Sequence, residues 1–104
     1  MAKLKVEHTT SHAPEKAYSI LKEFLTNDPE FRRFDPKMRL EFKEETHNIE
    51  IKCSQFSAIV NVLPGNEAHS NSFVVVDLDI AFVLSPFKGK IQESMQKTLA
   101  KYLA

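Results

Sequence analysis

Several things are scarce in this chain, and each scarcity excludes something. There are two glycines, Gly65 and Gly89, placed far apart. A glycine-rich phosphate loop therefore has nowhere to form. There is one cysteine, Cys53, so no internal disulfide is possible and a reducing, cytoplasmic setting is expected. Tryptophan is absent. Neither sign of charge is in excess: 14 basic and 14 acidic side chains give a formal net charge of zero. Phosphate-backbone binding draws on a basic excess or stripe, so nucleic acid is not an expected partner. No long apolar run occurs. The longest, Ile80 to Leu84, is far short of the ~20 residues a spanning helix needs. Met1 to Glu7 alternates charged and apolar residues, the pattern of a strand and not of a signal peptide.

What remains is ordinary globular composition, 42% hydrophobic and 27% charged over 104 residues. One domain over residues 1–104 is expected, large enough to bury roughly two-thirds of its unfolded surface. Leu4, Val6 and His8 alternate with polar residues, which predicts a first strand. Ser11 is the expected N-cap of a helix with Pro14 in its first turn. Ala17, Ile20, Leu21, Phe24 and Leu25 form that helix's apolar stripe, and Asn27-Asp28-Pro29 ends it. Phe31 and Phe34 are expected to pin the next loop onto the core edge. Met38, Leu40 and Phe42 predict a second strand, followed by a polar turn at Glu44 to Asn48.

Ile49, Ile51 and Cys53 share one phase, whereas Phe56, Ala58, Val60 and Val62 share another. The slip between them means a bulge or a tight turn. Pro64-Gly65 marks a turn. Phe73 to Leu84 reads as one long strand, and Ser85 as the cap of a final helix with Pro86 at its first position. That helix carries Phe87, Ile91, Met95, Thr98, Leu99, Tyr102 and Leu103 on its apolar side. Glu93, Lys97 and Lys101 lie on its wet side. The fold class expected is α+β: an antiparallel sheet with one face covered by two helices, in the order β-α-β-β-(β)-β-α.

Residues able to carry chemistry are few. His8 and His12 are separated by a strand-to-helix turn, and His47 and His69 fall in turns, so no metal-ligand spacing arises. Cys53 is in phase with core residues and reads as a small hydrophobe. Asp77 and Asp79 share one strand face. They read as the wet positions of an apolar strand, and they also discourage edge-to-edge pairing. No cofactor is expected. The candidate interaction surface is Phe73, Val75, Ala81 and Val83, the apolar residues on the side of the last strand away from the helices. A homodimer contact, or the Phe31–Phe34 loop, would also cover such a face.

The segment Asp79-Ile80-Ala81-Phe82-Val83-Leu84-Ser85-Pro86-Phe87-Lys88-Gly89-Lys90-Ile91-Gln92 resembles the polyhydroxyalkanoic acid system family of small bacterial proteins. There an alternating strand passes through Pro-Phe-Lys-Gly into a helix with a Leu-rich tail. Leu99-Ala100-Lys101-Tyr102-Leu103 stands where that tail does. Gln92 and Ala100 replace acids of the family pattern, and Ala81 replaces a glycine. The resemblance implies an association with storage-polymer granules and no catalytic motif. The expected function is thus a non-enzymatic accessory protein, with a granule surface or a protein as partner. The alternative is a helix-grip-like carrier of fatty-acyl or hydroxyacyl chains. Phe82, Phe87 and Met95 are large enough to be expected to fill such a carrier's cavity. An enzyme acting through Asp77 and Asp79 ranks below both readings.

Overall fold

A computed structural model describes residues 2–27, 37–65 and 71–103. The Phe31–Phe34 loop and His69 lie outside the described residues. The chain runs β1 (Ala2–Thr10), α1 (Pro14–Asn27), β2 (Arg39–Lys43), β3 (Asn48–Lys52), β4 (Phe56–Pro64) and β5 (Ser72–Ile80). A 3₁₀ helix (Phe82–Phe87) then leads into α2 (Lys88–Tyr102). The strands form one antiparallel sheet in the order β1-β5-β4-β3-β2. Both helices lie against one face, the arrangement that the alternation in the strands requires.

Alternation sorts the side chains cleanly. Leu4 and Val6, Ile49 and Ile51, Ala58, Val60 and Val62, and Val74, Val76, Leu78 and Ile80 are all buried on the helix-facing side. The phase slip after Cys53 is a tight turn. The Cys53 N–H donates to the Phe56 carbonyl at 3.0 Å, leaving Ser54-Gln55 as a two-residue loop between separate strands. Cys53 is half-buried and packs against the core. The turn at 44–47 closes with His47 at φ 52, in the left-handed region. At Gly65 an added Cβ would collide with the Asn71 side chain, whose backbone carbonyl accepts the Gly65 N–H at 3.0 Å. A larger residue there would have to displace the Asn71 amide.

Three expectations need correction. Ser11 does not cap α1. The helix begins at Pro14, and its first bond runs from the Ala17 N–H to the Ala13 carbonyl at 2.9 Å. The last strand stops at Ile80, not Leu84. Ile80 pairs with Ala2 on one side and Phe56 on the other, so both neighbours run out of ladder there. The next N–H, on Ala81, turns to the Gln55 carbonyl at 2.9 Å, and the chain leaves the sheet. Ser85 likewise caps nothing. Ser85 and Pro86 lie inside the 3₁₀ helix, and α2 starts at Lys88 without a side-chain cap.

The two helices dock differently. α1 packs over β4 and β5 and buries Ala17, Tyr18, Leu21 and Leu25. Tyr18, absent from the expected stripe, lies against the His47 ring with centroids 5.4 Å apart. Burial pushes its phenol pKa up, and its hydroxyl finds no partner among the described residues. α2 follows β1, an edge strand. Gln92 Nε2 donates to the Lys5 carbonyl at 3.1 Å, and Gln96 Nε2 to the Glu7 carbonyl at 2.7 Å. Four helical residues rise ~6 Å and two strand residues ~6.8 Å, so the glutamine spacing matches the spacing of outward carbonyls. At the far end the buried Thr10 hydroxyl donates to the Leu103 carbonyl at 2.5 Å. The edge of the sheet is thereby covered rather than left as a pairing template.

Candidate functional site

The outer face of the sheet is mainly charged and polar. Lys3, Lys5, Glu7 and Thr9 of β1 are exposed there, and Asn48 donates to Asn61 across β3 and β4 at 2.6 Å. Of the four expected surface residues, Phe73 and Val75 do occupy this face, partly buried. Phe73 stands between Thr9 and Leu63, and Val75 between Glu7 and Asn61. Leu63 and Ile59 of β4, both exposed, complete a short apolar strip that alternation in β4 already implied. Ala81 and Val83 do not belong to it. With the strand ending at Ile80, Ala81 sits just before the 3₁₀ helix and Val83 lies within it, 74% exposed. The predicted single surface is therefore two separate places.

Asp77 is exposed and lies 3.9 Å from Lys5. Asp79 is two residues on, with Oδ1 buried and without a hydrogen-bond partner among the described residues. Among those residues, no group of three or more His, Cys, Asp or Glu side chains is placed to hold a metal ion. His8 faces inward, with Nε2 buried and unpartnered among the described residues. The His12 N–H points to Thr10 Oγ1 at 3.3 Å, and the His12 carbonyl accepts from Ser72 Oγ at 2.6 Å. Of the described histidines, His8 lies within β1, His12 in the bend that follows it and His47 in the turn before β3.

The prominent concavity lies on the other side of the sheet. α1 covers the centre and α2 stands out at the β1 edge, so among the described residues the layer between them does not close. A cavity of about 700 Å³ results. Its floor is Ile51 of β3, Phe56, Ala58 and Val60 of β4, and Val76, Leu78 and Ile80 of β5. Leu21, Phe24 and Leu25 of α1 form one wall. Leu84 and Phe87, with Ile91, Met95, Leu99 and Tyr102 of α2, form the other. The Phe24 and Tyr102 rings, 4.5 Å apart, join the two helices. Phe82 does not fill this space as expected: it is 72% exposed, because the 3₁₀ turn points it outward. Phe87 and Met95 line the cavity instead of plugging it.

Among the described residues, the polar and charged ones that line the cavity come from one helix. They are Lys90, Ser94, Thr98 and Lys101, a stripe along α2 beside its apolar stripe. Lys101 is exposed, as expected of the wet side, and it also reaches the cavity rim, its Nζ 5.4 Å from the centroid of the Tyr102 ring. The signal for Lys90 and Ser94 was their four-residue spacing next to Ile91 and Met95, which puts both pairs on adjoining stripes of one helix. The floor and the α1 wall carry no charged side chain. The site can desolvate an apolar chain and meet a polar end only from α2.

No family model and no curated protein matches the chain. Solved structures are similar to it at low identity. An uncharacterized protein from Bacillus thuringiensis superposes with a TM-score of 0.63 at 11% identity, over 93% of this chain and 94% of that one. A START superfamily protein from Mycobacterium smegmatis gives a TM-score of 0.58 at 13% identity, over 97% and 93%. The di-domain ARO/CYC BexL from the BE-7585A biosynthetic pathway gives 0.62 at 12% identity. That match takes in 99% of this chain but 44% of BexL, so the chain spans under half of that protein's length. At such identities the likeness establishes the fold: a five-stranded antiparallel sheet packed on one face against two helices.

Proposed function

We propose that this protein is a non-catalytic binder of a small hydrophobic ligand carrying an acyl-type chain, held between the sheet and α2. The observation that carries the reading is the apolar cavity of about 700 Å³. Ligand pockets commonly measure ~300–1,000 Å³ and are lined mainly by apolar side chains with a few polar groups. The fold shared with a START superfamily protein and with BexL supports the same reading. Burial of apolar chain yields about 25 cal/mol per Å² removed from water, and no protein group needs to react. The test is to block the floor. Ala58 is buried on β4 and faces the cavity, so Ala58→Phe places a ring in the ligand's space. Titration of fatty acids by calorimetry should show binding to the native chain and none to this variant, with circular dichroism unchanged. Equal binding by both proteins would refute the site.

A second reading keeps the chain as an accessory protein at the surface of polyhydroxyalkanoate granules, in the cytoplasm and as a homodimer. The resemblance over residues 79–92 motivates it. Within that same segment Phe82, Val83 and Phe87 are 72%, 74% and 52% exposed, and such residues adsorb to an apolar surface. Among the described residues no helix is long and apolar enough to cross a membrane. Co-sedimentation with amorphous polyhydroxybutyrate, against latex of equal hydrophobicity, tests this reading. Selective binding that is lost on Phe82→Asp with Val83→Asp supports it. Indifference between the particles removes it.

A further inference from the structure

The acyl-chain reading leaves open what stands at the chain's polar end, and the lining of the cavity addresses this. Among the described residues that line it there are two lysines and no carboxylate. A cationic head group would meet like charge there. A neutral head group would forgo the only charges that the site offers.

The two lysines are not equivalent. They lie eleven residues apart on α2, ~16 Å along the axis, so one head group meets one of them. Lys101 stands over the Tyr102 ring, and that ring packs on Phe24, which occupies this end of the cavity. Beside it the Thr98 hydroxyl already donates to the Ser94 carbonyl at 2.9 Å. At the other end Lys90 has no ion pair among the described residues. Glu93, the acid nearest to it in sequence, is engaged by Lys97 at 3.0 Å. The Ser94 hydroxyl, one turn beyond Lys90, makes no hydrogen bond among the described residues. This end also carries the half-exposed Phe87, which is both cavity wall and outer surface.

We propose that Lys90, with the Ser94 hydroxyl beside it, receives the carboxylate of a fatty or hydroxy-fatty acid whose chain lies along the apolar floor. The inference rests on the acyl-chain reading and deepens it: the ligand is the free acid and not an alcohol, ester or amine. The acid enters tail first past Phe87. Its charge stays at the rim, where water and the ammonium share its solvation, so no buried charge has to be compensated.

The experiment compares dodecanoate, dodecanol and dodecylamine, each below its aggregation limit, by displacement of a fluorescent apolar probe. A charge-assisted contact at a partly exposed rim corresponds to about tenfold in affinity. Dodecanoate should therefore bind about tenfold tighter than dodecanol, and dodecylamine should bind weakest. Added salt should narrow the gap. Lys90→Met keeps the stem but removes the charge, and it should bring dodecanoate down to the level of dodecanol, whose own binding stays unchanged. Lys101→Met should leave the preference for dodecanoate over dodecanol in place. Equal binding of acid and alcohol, both blocked by Ala58→Phe, would overturn the acid assignment while leaving the cavity reading in place. An equal loss in Lys101→Met would overturn the placement at Lys90. Failure of all three probes to bind would remove the cavity reading and this inference with it.

Discussion

The two long helices face the same sheet, yet they are held by different forces. α1 buries four residues in the core, and its hold is apolar packing over the two central strands. α2 buries one, Leu99, and is fastened to the sheet edge by side-chain bonds from Gln92 and Gln96 to backbone carbonyls. A helix that packs inward closes a core. A helix hung from an edge leaves room beneath itself. The cavity is the space between these two ways of docking, and the contrast explains how so short a chain keeps an interior volume without a larger sheet.

The comparison can be broken most directly by truncating one apolar residue on each helix. Leu21→Ala should cost ~3 kcal/mol, in the usual range for a well-packed core site. Ile91→Ala, on the half-buried face of α2, should cost about 1 kcal/mol because its surroundings already include empty space. Urea unfolding measures both. Equal losses would mean that α2 is a core helix and that the cavity is closed in solution.

A smaller effect sharpens the comparison at the edge. Replacing Gln92 and Gln96 together with Ala should remove ~1 kcal/mol of stability, because both bonds are exposed. Amide exchange should accelerate in α2 while α1 remains protected. Uniform acceleration in both helices would show that they are one cooperative unit.

The smallest effect is electrostatic. Lys22 of α1 pairs with Glu44 in the β2–β3 turn, and Lys43 pairs with Glu50 at 3.1 Å. Hydrogen bonds from these lysines hold the Glu44 and Glu50 carboxyls below the ordinary value of 4.5, and the same bonds raise both lysines above 10.5. The unfolded chain therefore binds more protons than the folded one as the solution turns acidic. The carboxylate contribution is complete above pH 4.5 and fades as pH falls through the depressed values. The lysine contribution is complete below pH 10.5 and fades as pH rises through the raised values. Glu44→Gln should flatten the acid limb of a stability–pH curve slightly, since these groups are exposed and water screens them. An unchanged acid limb would mean that the pair holds no weight in solution.

The order of elements was legible because the alternation in β1 to β5 and the stripe in α1 each bury one face, and such patterns admit one period. Tyr18 escaped because an aromatic with a polar tip reads as a surface residue until its neighbour His47 is in place. The end of β5 escaped for a different reason. Apolar alternation continues through Leu84, but a strand needs partners, and the ladder stops at Ala2 and Phe56. That boundary is set by residues distant in sequence. The cavity escaped because a void is a property of how α1 and α2 are spaced, and Phe87 or Met95 read the same whether they fill a space or line it. Phe73 and Val75 were placed on the correct face, whereas Ala81 and Val83 inherited the error in strand length.

The glutamine ladder along β1 addresses only backbone carbonyls, which every strand presents whatever its side chains. These two bonds are therefore indifferent to the residues at 90 and 94, whose side chains line the cavity. In design terms both positions can be rewritten with the attachment to β1 kept, so the lining of the cavity is open to change from a single helix.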